Sequence, residues 1–384
     1  MSPYTFLAVN ILETMLRVLP FSCKPGLLRI GNPGRNSPVL LTCNYHLTVA
    51  RVKRALKEMD AYLLVANSRG INVWCAATGG LFTNHDVISA LKTSRIEGSV
   101  DHRDVILPQL AATGVESRTI QRKTGWKVIW GPVYAKDLPA FIKNKYTKTS
   151  KMRDVQFPLT QRFEMAVAWA FPISVVLGLI MIPFWREAIL PLMYLVWGLC
   201  LLLFTSFPLY GKMLSPEEKR FGFVFFDFGR GGFQLILWGL LVIGLAIYSI
   251  AVGDLRWGFM LRWGFITLIV VLLLSIDLMG STPIFKSGLH SDRLLKVVLD
   301  EKKCKGAGLC EQVCPKNCYV VDRVQHVAAM PGADRCVQCG ACIVQCPFDA
   351  LYFRDPQGEV ITPEAVRKYK LNLLGKRMKN TNRE

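Results

Sequence analysis

The chain has 384 residues, of which 51% are hydrophobic, and it carries a formal net charge of +19 and twelve cysteines. Its length allows two or three domains, and so apolar a composition indicates a membrane protein rather than a wholly soluble one. With a membrane present, an anionic lipid surface explains the basic balance better than nucleic acid does.

Residues 1–27 are predicted to hold an amphipathic helix. Apolar side chains recur there at helical spacing, namely Phe6, Val9, Leu12, Met15, Leu16 and Leu19. Glu13 and Arg17, together with the absence of a basic start, argue against a cleavable signal peptide. We expect this helix to lie on the bilayer or on the domain behind it.

Residues 28–150 are predicted to form an α/β domain, because short apolar strands alternate with amphipathic helices. The predicted strands are Val39–Thr42, Ala61–Val65, Val105–Leu107 and Lys127–Trp130, and the predicted helices follow Thr48 as N-cap, cover Asn84–Thr93 and cover Asp137–Lys145. This alternation favours a Rossmann-like, mostly parallel sheet flanked by helices. Ligands of such folds bind beyond the carboxyl ends of the strands, so we expect a site after Ala61–Val65.

The segment after that strand contains Cys75, followed only by small residues up to Gly80. Small side chains allow a large flat ligand to approach the backbone, and a thiol there could bind a soft or borderline metal. An isolated cysteine is otherwise a buried hydrophobe, which is the interpretation given to Cys23, Cys43 and Cys200. The histidines are scattered and form no Asp-x-His-x-x-Gly pattern.

Residues 163–285 are predicted to form a transmembrane domain of four helices. The uncharged runs are Met165–Trp185, Ala188–Gly211, Gly231–Gly253 and Trp263–Phe285, the last interrupted only by Asp277. Each run is long enough to cross a hydrocarbon core of ~30 Å. Lysine and arginine concentrate before the first run, between the second and third, and after the fourth. The protein is therefore predicted to span the cytoplasmic (inner) membrane with both termini in the cytoplasm.

Two alternatives concern these spans. A short re-entrant piece could lie at Phe221–Phe228, whereas a fifth full crossing there would separate the two soluble domains and is rejected. Asp277 could move protons or ions, since acids inside membranes are usually functional, although an interfacial polar site is the favoured interpretation.

Residues 296–358 are predicted to form an α+β ferredoxin of the bacterial, two-cluster type. The run Cys336-x-x-Cys339-x-x-Cys342-x-x-x-Cys346-Pro347 is typical of iron–sulfur proteins in which three thiolates of one turn hold one cluster and the fourth holds its neighbour. A [4Fe–4S] cluster is therefore assigned to Cys336, Cys339, Cys342 and Cys314. A disulfide framework or a zinc ribbon is less favoured, because neither needs Cys-Pro at both fourth positions.

The second cluster site has three thiolates, from Cys304, Cys310 and Cys346, because Ala307 replaces the remaining cysteine. It is predicted to hold either a [3Fe–4S] cluster, which we favour, or a [4Fe–4S] cluster that recruits Cys318. The segment resembles ferredoxins that pair the two cluster types, in which a cysteine placed like Cys318 is not a ligand. Ligands of this kind must be reduced thiolates, so the domain is expected to face a reducing compartment.

The basic tail, residues 359–384, is expected to contact anionic lipid headgroups. Its cationic residues include Arg367, Lys368, Lys370, Lys376, Arg377 and Lys379.

Residues from about 37 to 290 resemble the membrane corrinoid protein of microbial mercury methylation, which is a relative of the corrinoid iron–sulfur protein of acetyl-CoA synthesis. The matching stretches are Asn72-Val73-Trp74-Cys75-Ala76-Ala77, Leu107-Pro108-Gln109-Leu110, Gly131-Pro132-Val133 with Asp137-Leu138-Pro139, and Gly280-Ser281-Thr282-Pro283. The resemblance implies that Cys75 is the lower axial ligand of cobalt in a cobalamin-type corrinoid. Asn72, Trp74 and Ala76 would then shape the cofactor site. The ferredoxin domain would be that family's partner ferredoxin, fused into one chain.

Two departures from that family argue against mercury methylation itself. The family motif continues with Gly-Lys where this chain has Thr78-Gly79, and the partner ferredoxin usually ends in a cysteine pair that residues 362–384 lack. A divergent paralogue with another methyl acceptor is the better prediction.

Two functions follow. The first is a corrinoid-dependent methyl carrier or methyltransferase, in which the clusters draw electrons from a cytoplasmic donor and reduce the cobalt. The second is a membrane-anchored electron-transfer protein without corrinoid, which a three-iron cluster would suit. A metal transporter is the weakest interpretation, because the spans carry one acid and one cysteine. The sequence names neither methyl donor nor acceptor.

Overall fold

The computed structural model describes residues 3–17, 19–211, 233–253, 256–278, 295–371 and 377–379. The chain forms two compact units, one of residues 1–19 and 157–294 and the other of residues 20–156 and 295–384. The apolar helices lie in the first unit. The α/β domain and the iron–sulfur module (residues 295–371) share the second, so these two parts pack together rather than standing as separate domains.

The helices in chain order are α1 (Pro3–Met15), α2 (His46–Ala55), α3 (Val73–Thr78), α4 (Asn84–Thr93), α5 (Ser117–Thr124), α6 (Leu138–Lys143), α7 (Ser150–Arg153), α8 (Leu159–Phe184), α9 (Ile189–Tyr210), α10 (Phe233–Ala251), α11 (Trp257–Leu278), α12 (Leu309–Val313), α13 (Ala341–Gln345) and α14 (Pro363–Lys368). The strands are β1 (Gly26–Ile30), β2 (Val39–Cys43), β3 (Ala61–Ala66), β4 (Asp104–Leu107), β5 (Lys127–Trp130), β6 (Lys296–Leu299), β7 (Val320–Asp322), β8 (Val327–Ala329), β9 (Leu351–Arg354), β10 (Val360–Ile361), β11 (Tyr369–Leu371) and β12 (Arg377–Lys379). A 3₁₀ helix, Gln109–Thr113, follows β4.

The α/β domain is built on a five-stranded sheet in the order β1-β3-β2-β4-β5. Strands β2 to β5 run parallel, and β1 pairs antiparallel with β3 at the edge. Strands β2 and β3 are buried along their whole length because apolar cores cover both faces of the sheet. The carboxyl end of β3 leads directly into the loop before α3, as the sequence predicted.

The predicted strands and the helix Asn84–Thr93 are confirmed, with ends that agree to within one residue. The prediction of Thr48 as an N-cap is wrong, because α2 already begins at His46 with Tyr45 in the capping position. Burial of Leu47 extends the apolar face toward the N-terminus. The predicted helix Asp137–Lys145 ends early, at Lys143, since Lys145 adopts a positive φ of 47°.

Two parts of the fold extend across predicted domain boundaries. Strand β1 begins at Gly26, inside the segment assigned to the N-terminal helix, because its backbone pairs with β3. At the other end, β10 pairs with β9, and Val366 of α14 is buried in the core of the iron–sulfur module. The first part of the predicted tail is therefore folded onto the module.

The predicted lipid-contacting residues divide accordingly. Arg367 donates to the Cys346 carbonyl at 3.2 Å and pairs with Asp349, and the Lys370 Nζ donates to the Thr113 carbonyl at 3.2 Å. These two cations contact protein, so their assignment to headgroups is wrong. Lys368 is exposed. Lys376 lies outside the described residues, as do the side chains of Arg377 and Lys379.

The first unit contains the predicted spans. Among the described residues, Leu159–Phe184, Arg186–Tyr210 and Trp257–Leu274 are long and apolar enough to cross a membrane, and Leu235–Ala251 is an apolar but shorter helix. The four-span topology stays a prediction. Phe221–Phe228, the stretch Gly280–Pro283 and the Asp277 side chain lie outside the described part of the chain.

Helix α1 buries the predicted apolar stripe only in part, since Val9 and Met15 are half-buried and Leu12 is exposed. It packs against α8 with Glu13 and Thr14 buried, while Ile11 and Leu12 are more than half exposed. The exposed leucine and isoleucine side chains therefore lie on a different face from the one that contacts α8.

Candidate cofactor sites

The iron–sulfur module folds the same local backbone twice, at a constant offset of 32 residues. Helices α12 and α13 each follow a glycine with positive φ, which is 75° at Gly308 and 78° at Gly340. Glycine adopts this conformation without strain, so each helix can start directly beside a bend in the chain. In this internal repeat Ala307 corresponds to Cys339, and Cys318 corresponds to Ala350.

The cysteines line two separate cavities. The first is lined by Cys304, Cys310 and Cys346 and by Ala307. The second is lined by Cys314, Cys318, Cys336, Cys339 and Cys342. Each Cys-Pro cysteine therefore lies in the cavity of the opposite motif, which is the crossed arrangement that the spacing predicted.

The two sets of thiols suit clusters rather than single ions. Within the described residues, no group of three or more His, Cys, Asp or Glu side chains could hold one metal ion. Backbone N–H groups donate to the sulfurs instead, from Cys318 to Cys314 Sγ at 3.3 Å and from Ala350 to Cys346 Sγ at 3.4 Å. Such donors stabilise thiolates, so the donor set fits the thiolate ligands of iron–sulfur clusters.

Cys318 belongs to the second cavity, which already contains four other cysteines. Its hydrogen bonds to Cys314 and Cys336 raise the pKa of the Cys318 thiol, whereas the bond from Cys318 lowers the pKa of Cys314 to about 7 against the opposing effect of burial. The two opposite shifts make Cys318 the hydrogen-bond donor and Cys314 the acceptor. The cavity with three cysteines gains no thiol from it.

Two of the predicted cluster ligands, Cys310 and Cys342, have raised thiol pKa values because they are buried. Burial raises the pKa of Cys310 to about 12. The hydroxyl of buried Tyr319 donates to Cys342 Sγ at 3.2 Å. Because a ligand must be a thiolate, cluster binding has to release protons from these two sulfurs.

Helix α3 carries Cys75, and its sequence explains its shape. Asn72 is the N-cap, and its Oδ1 accepts the Cys75 N–H at 3.0 Å. The side chain of Cys75 is exposed and that of Trp74 is half-buried, while Ala76 and Ala77 are fully buried in the core. Of the predicted cofactor residues, Cys75 is therefore the one presented to solvent, and Ala76 packs inward.

Gly114 fixes the distance between α3 and the segment after β4. A Cβ at this position would lie 2.5 Å from the Ala77 carbonyl oxygen and 2.6 Å from that of Phe82. Only glycine permits this approach. The 3₁₀ helix Gln109–Thr113 consequently packs on α3 (the cap helix), and Ala111 and Ala112 are fully buried there.

The same core extends into the iron–sulfur module. Ala76 and Ala111 share a cluster of buried side chains with Val313 of α12 and Ala341 of α13, and Cys339 packs against that cluster. A continuous apolar contact therefore joins the Cys75 helix to the second cysteine cavity through the 3₁₀ helix.

The buried side chain of Gln345 holds this contact in register. The Nε2 of Gln345 donates to the carbonyls of Ala112 at 2.8 Å and Val115 at 2.6 Å, and its Oε1 accepts from the Ser117 N–H and hydroxyl. Gln345 is 2% exposed, so these bonds are made without water. The residue precedes Cys346, and its polarity inside an apolar stretch was the signal that sequence reasoning missed.

Both parts of this unit are similar to known proteins. Residues 9–142 match the family model of the CO dehydrogenase/acetyl-CoA synthase delta subunit, and residues 332–352 match the 4Fe-4S binding domain. The second match covers Cys336, Cys339, Cys342 and Cys346 and supports a [4Fe–4S] cluster. The first covers the sheet and the Cys75 helix.

Relatives of the α/β domain are subunits of acetyl-CoA decarbonylase/synthase complexes. The gamma subunit of Methanopyrus kandleri is 36% identical over 128 residues, which is 33% of this chain and 27% of that protein. The gamma subunit of Archaeoglobus fulgidus is 37% identical over 116 residues, which is 30% of this chain and 24% of that protein. The corrinoid/iron-sulfur protein large subunit of Moorella thermoacetica is 29% identical over 127 residues, 33% of this chain and 28% of that protein.

The chain therefore spans about a quarter of the length of the relatives that it matches. The predicted relationship to corrinoid iron–sulfur proteins is supported. The comparisons do not support the predicted likeness to the mercury-methylation type. The similar proteins belong instead to the acetyl-CoA decarbonylase/synthase group.

Proposed function

We propose that the chain is a membrane-bound, corrinoid-dependent methyl carrier or methyltransferase whose own iron–sulfur module reduces the cobalt. The observation that carries the proposal is the placement of Cys75. Its exposed side chain stands on a capped helix beyond the carboxyl end of β3, and the same helix packs through the 3₁₀ helix onto the second cysteine cavity. Ligands of open α/β sheets bind at this edge.

The residues divide the work between two sites. Cys75 would supply the axial sulfur, and Asn72 holds its backbone while Trp74 limits the approach of water. When bound, a corrinoid supplies a cobalt that accepts and passes on a methyl group, and the clusters supply electrons. Cys314, Cys336, Cys339 and Cys342 would hold the cluster nearer to the cap helix, since Cys339 touches the shared core.

We infer a [3Fe–4S] cluster at Cys304, Cys310 and Cys346. The position that would supply a fourth ligand is Ala307, which is exposed, and Cys318 lines the other cavity. The four-iron alternative at this site would need a ligand that these side chains do not offer.

The apolar helices support a place in the cytoplasmic membrane, with both soluble parts on its inner side. Direct packing of the α/β domain on the iron–sulfur module supports an even number of crossings between residues 157 and 294. The implied partners are membrane lipid, a cytoplasmic electron donor, a methyl donor and a methyl acceptor.

Cobalt content and the visible spectrum of the anaerobically purified protein test this function. The wild type should contain cobalt, and Cys75→Ala should shift the corrinoid absorption bands because it removes the axial sulfur. Cys23→Ala, which alters a half-buried thiol of the same domain, is the matched control and should keep the wild-type spectrum. An unchanged spectrum in Cys75→Ala would overturn the ligand assignment.

One observation favours a second function, an electron-transfer protein without corrinoid. A three-cysteine cavity suits a three-iron cluster, which is compatible with transfer to a quinone or a partner oxidoreductase. In that case the purified protein would contain iron but no cobalt, and reconstitution with cobalamin would leave its spectrum additive.

A further inference from the structure

Lys148 lies where the α/β domain meets the iron–sulfur module, and its ammonium is completely hydrogen-bonded. Its Nζ donates to Gln109 Oε1 at 2.7 Å, to the Gln312 carbonyl at 2.8 Å and to the Gly131 carbonyl at 3.1 Å. An ammonium has three N–H donors, so the three acceptors use all of them. Gly131 and Gln109 follow β5 and β4, whereas Gln312 belongs to α12 between two predicted cluster ligands.

None of the three acceptors of the Lys148 ammonium is a carboxylate. The carboxylates nearby are taken by other cations, since Glu311 pairs with Arg153 at 3.5 Å and with Arg323 at 3.6 Å, and Asp154 lies 4.0 Å from Lys316. Burial, followed by repulsion from Arg153, lowers the pKa of Lys148 to about 7. A cation held in such a place by neutral oxygens is costly unless a negative charge is nearby.

Gln109 connects the ammonium to the second cysteine cavity. Its side chain is 1% exposed, and while its oxygen accepts from Lys148, its Nε2 donates to the Cys314 carbonyl at 3.2 Å and to the Arg153 carbonyl at 2.9 Å. A four-thiolate iron–sulfur cluster is anionic and gains one further negative charge when it takes up an electron. Net charge and solvent exposure are among the factors that set its reduction potential.

We propose that Lys148 is a positioning residue that fixes Cys314 through Gln109 and whose positive charge raises the reduction potential of the cluster held at the Cys314 cavity. One electron enters that cluster from a low-potential, one-electron donor protein. The ammonium offsets the added negative charge, and no covalent bond is made or broken. The proposal rests on the iron–sulfur part of the proposed function and needs no corrinoid.

The test is a dithionite redox titration of the full-length, corrinoid-free protein, followed by EPR of the reduced four-iron signal. Lys148→Gln keeps two N–H donors and Lys148→Met keeps an unbranched side chain; both side chains are one atom shorter than lysine, and both remove the charge. We expect both variants to shift the midpoint potential to more negative values, Lys148→Arg to titrate at or above the wild-type value because its guanidinium is always protonated, and Lys143→Met, at an exposed lysine of α6, to have no effect.

A neutral variant that retains its iron and titrates at the wild-type potential would overturn the proposal. If Lys148→Met fails to assemble, Lys148→Gln decides the question, because a purely structural role predicts lost stability without a shifted potential. Failure of the corrinoid assignment would leave this outcome unchanged, since cobalt takes no part in the measurement.

Discussion

The Oδ1 of Asn72 accepts a hydrogen bond from the backbone N–H of Cys75 at 3.0 Å, so one side chain orients the thiol that the proposed function requires. Helix α3 has six residues and depends on such a cap, because an isolated turn gains little from its own backbone bonds.

Removing this cap should weaken corrinoid binding while leaving the thiol in the chain. Asn72→Ala is expected to cost about 1 kcal/mol of local stability. Spectrophotometric titration with cobalamin would then show a larger dissociation constant. Thr362→Ala removes the equivalent cap of α14, where the Thr362 hydroxyl accepts from the Ala365 N–H at 3.3 Å. This variant should bind cobalamin like the wild type. Equal weakening in both variants would contradict a specific role for Asn72.

Gly114→Ala should displace the cap helix. The added methyl group would lie 2.5 Å from the Ala77 carbonyl oxygen, and overpacking of this kind typically costs about 1–3 kcal/mol. Urea unfolding should show the loss. Gly34→Ala adds the same group where nothing lies within 4 Å and is the matched control. If the two variants are equally stable, the close approach does not hold in solution.

Ala307→Cys should complete the first cluster site. The residue is exposed at the mouth of the cavity, in the place that Cys339 occupies in the internal repeat. EPR of the oxidised protein should lose its three-iron signal, and iron per chain should rise. Ala329→Cys introduces an exposed thiol at a position that lines neither cavity and should change neither readout. A wild-type protein without a three-iron signal would defeat the assignment.

Cys318→Ser should leave the iron content of both sites unchanged, because the one hydrogen of a serine hydroxyl can still be donated to Cys314. Cys339→Ser, by contrast, should lose the four-iron cluster. Iron analysis and EPR of the two variants separate a hydrogen-bonding neighbour from a ligand. Loss of either cluster in Cys318→Ser would show that this thiol binds iron.

Tyr319→Phe should lower the potential of the four-iron cluster. The phenol donates to Cys342 Sγ at 3.2 Å from a buried position, and hydrogen bonds to ligand sulfurs are among the factors that set the potential. The redox titration described for Lys148 measures the effect. Tyr352→Phe alters a tyrosine on β9 outside the cavity lining and should titrate like the wild type.

The sequence predicted those features that depend on local pattern. Strand β5 and helix α4 have the predicted bounds because the first is a short apolar run and the second has a clear helical apolar period. The placement of Cys314 and Cys346, each in the cavity of the opposite motif, followed from the cysteine spacing alone. Thr48 was misplaced because a threonine before apolar residues looks like a cap, whereas the buried Leu47 starts the helix earlier.

Features that join distant segments could not be read from local pattern. Gln345 finds its partners about 230 residues earlier in the chain, and Lys148 finds one in α12. A glutamine or a lysine in a sequence does not reveal its acceptors, so the contact between the α/β domain and the module emerged from the fold. The folding of Arg367 onto that module was hidden for the same reason, since a basic run more often faces solvent.

Both Cys-Pro segments are in contact with the α/β domain, because Gln109 binds at Cys314 and Arg118 donates to the Pro347 carbonyl at 2.7 Å. A ferredoxin that shuttles between proteins must leave this surface open for each new encounter. Here the neighbour is tethered and already in place, so the transfer step within the chain should obey first-order kinetics and be insensitive to dilution. Only delivery of electrons from outside should depend on how much donor is present.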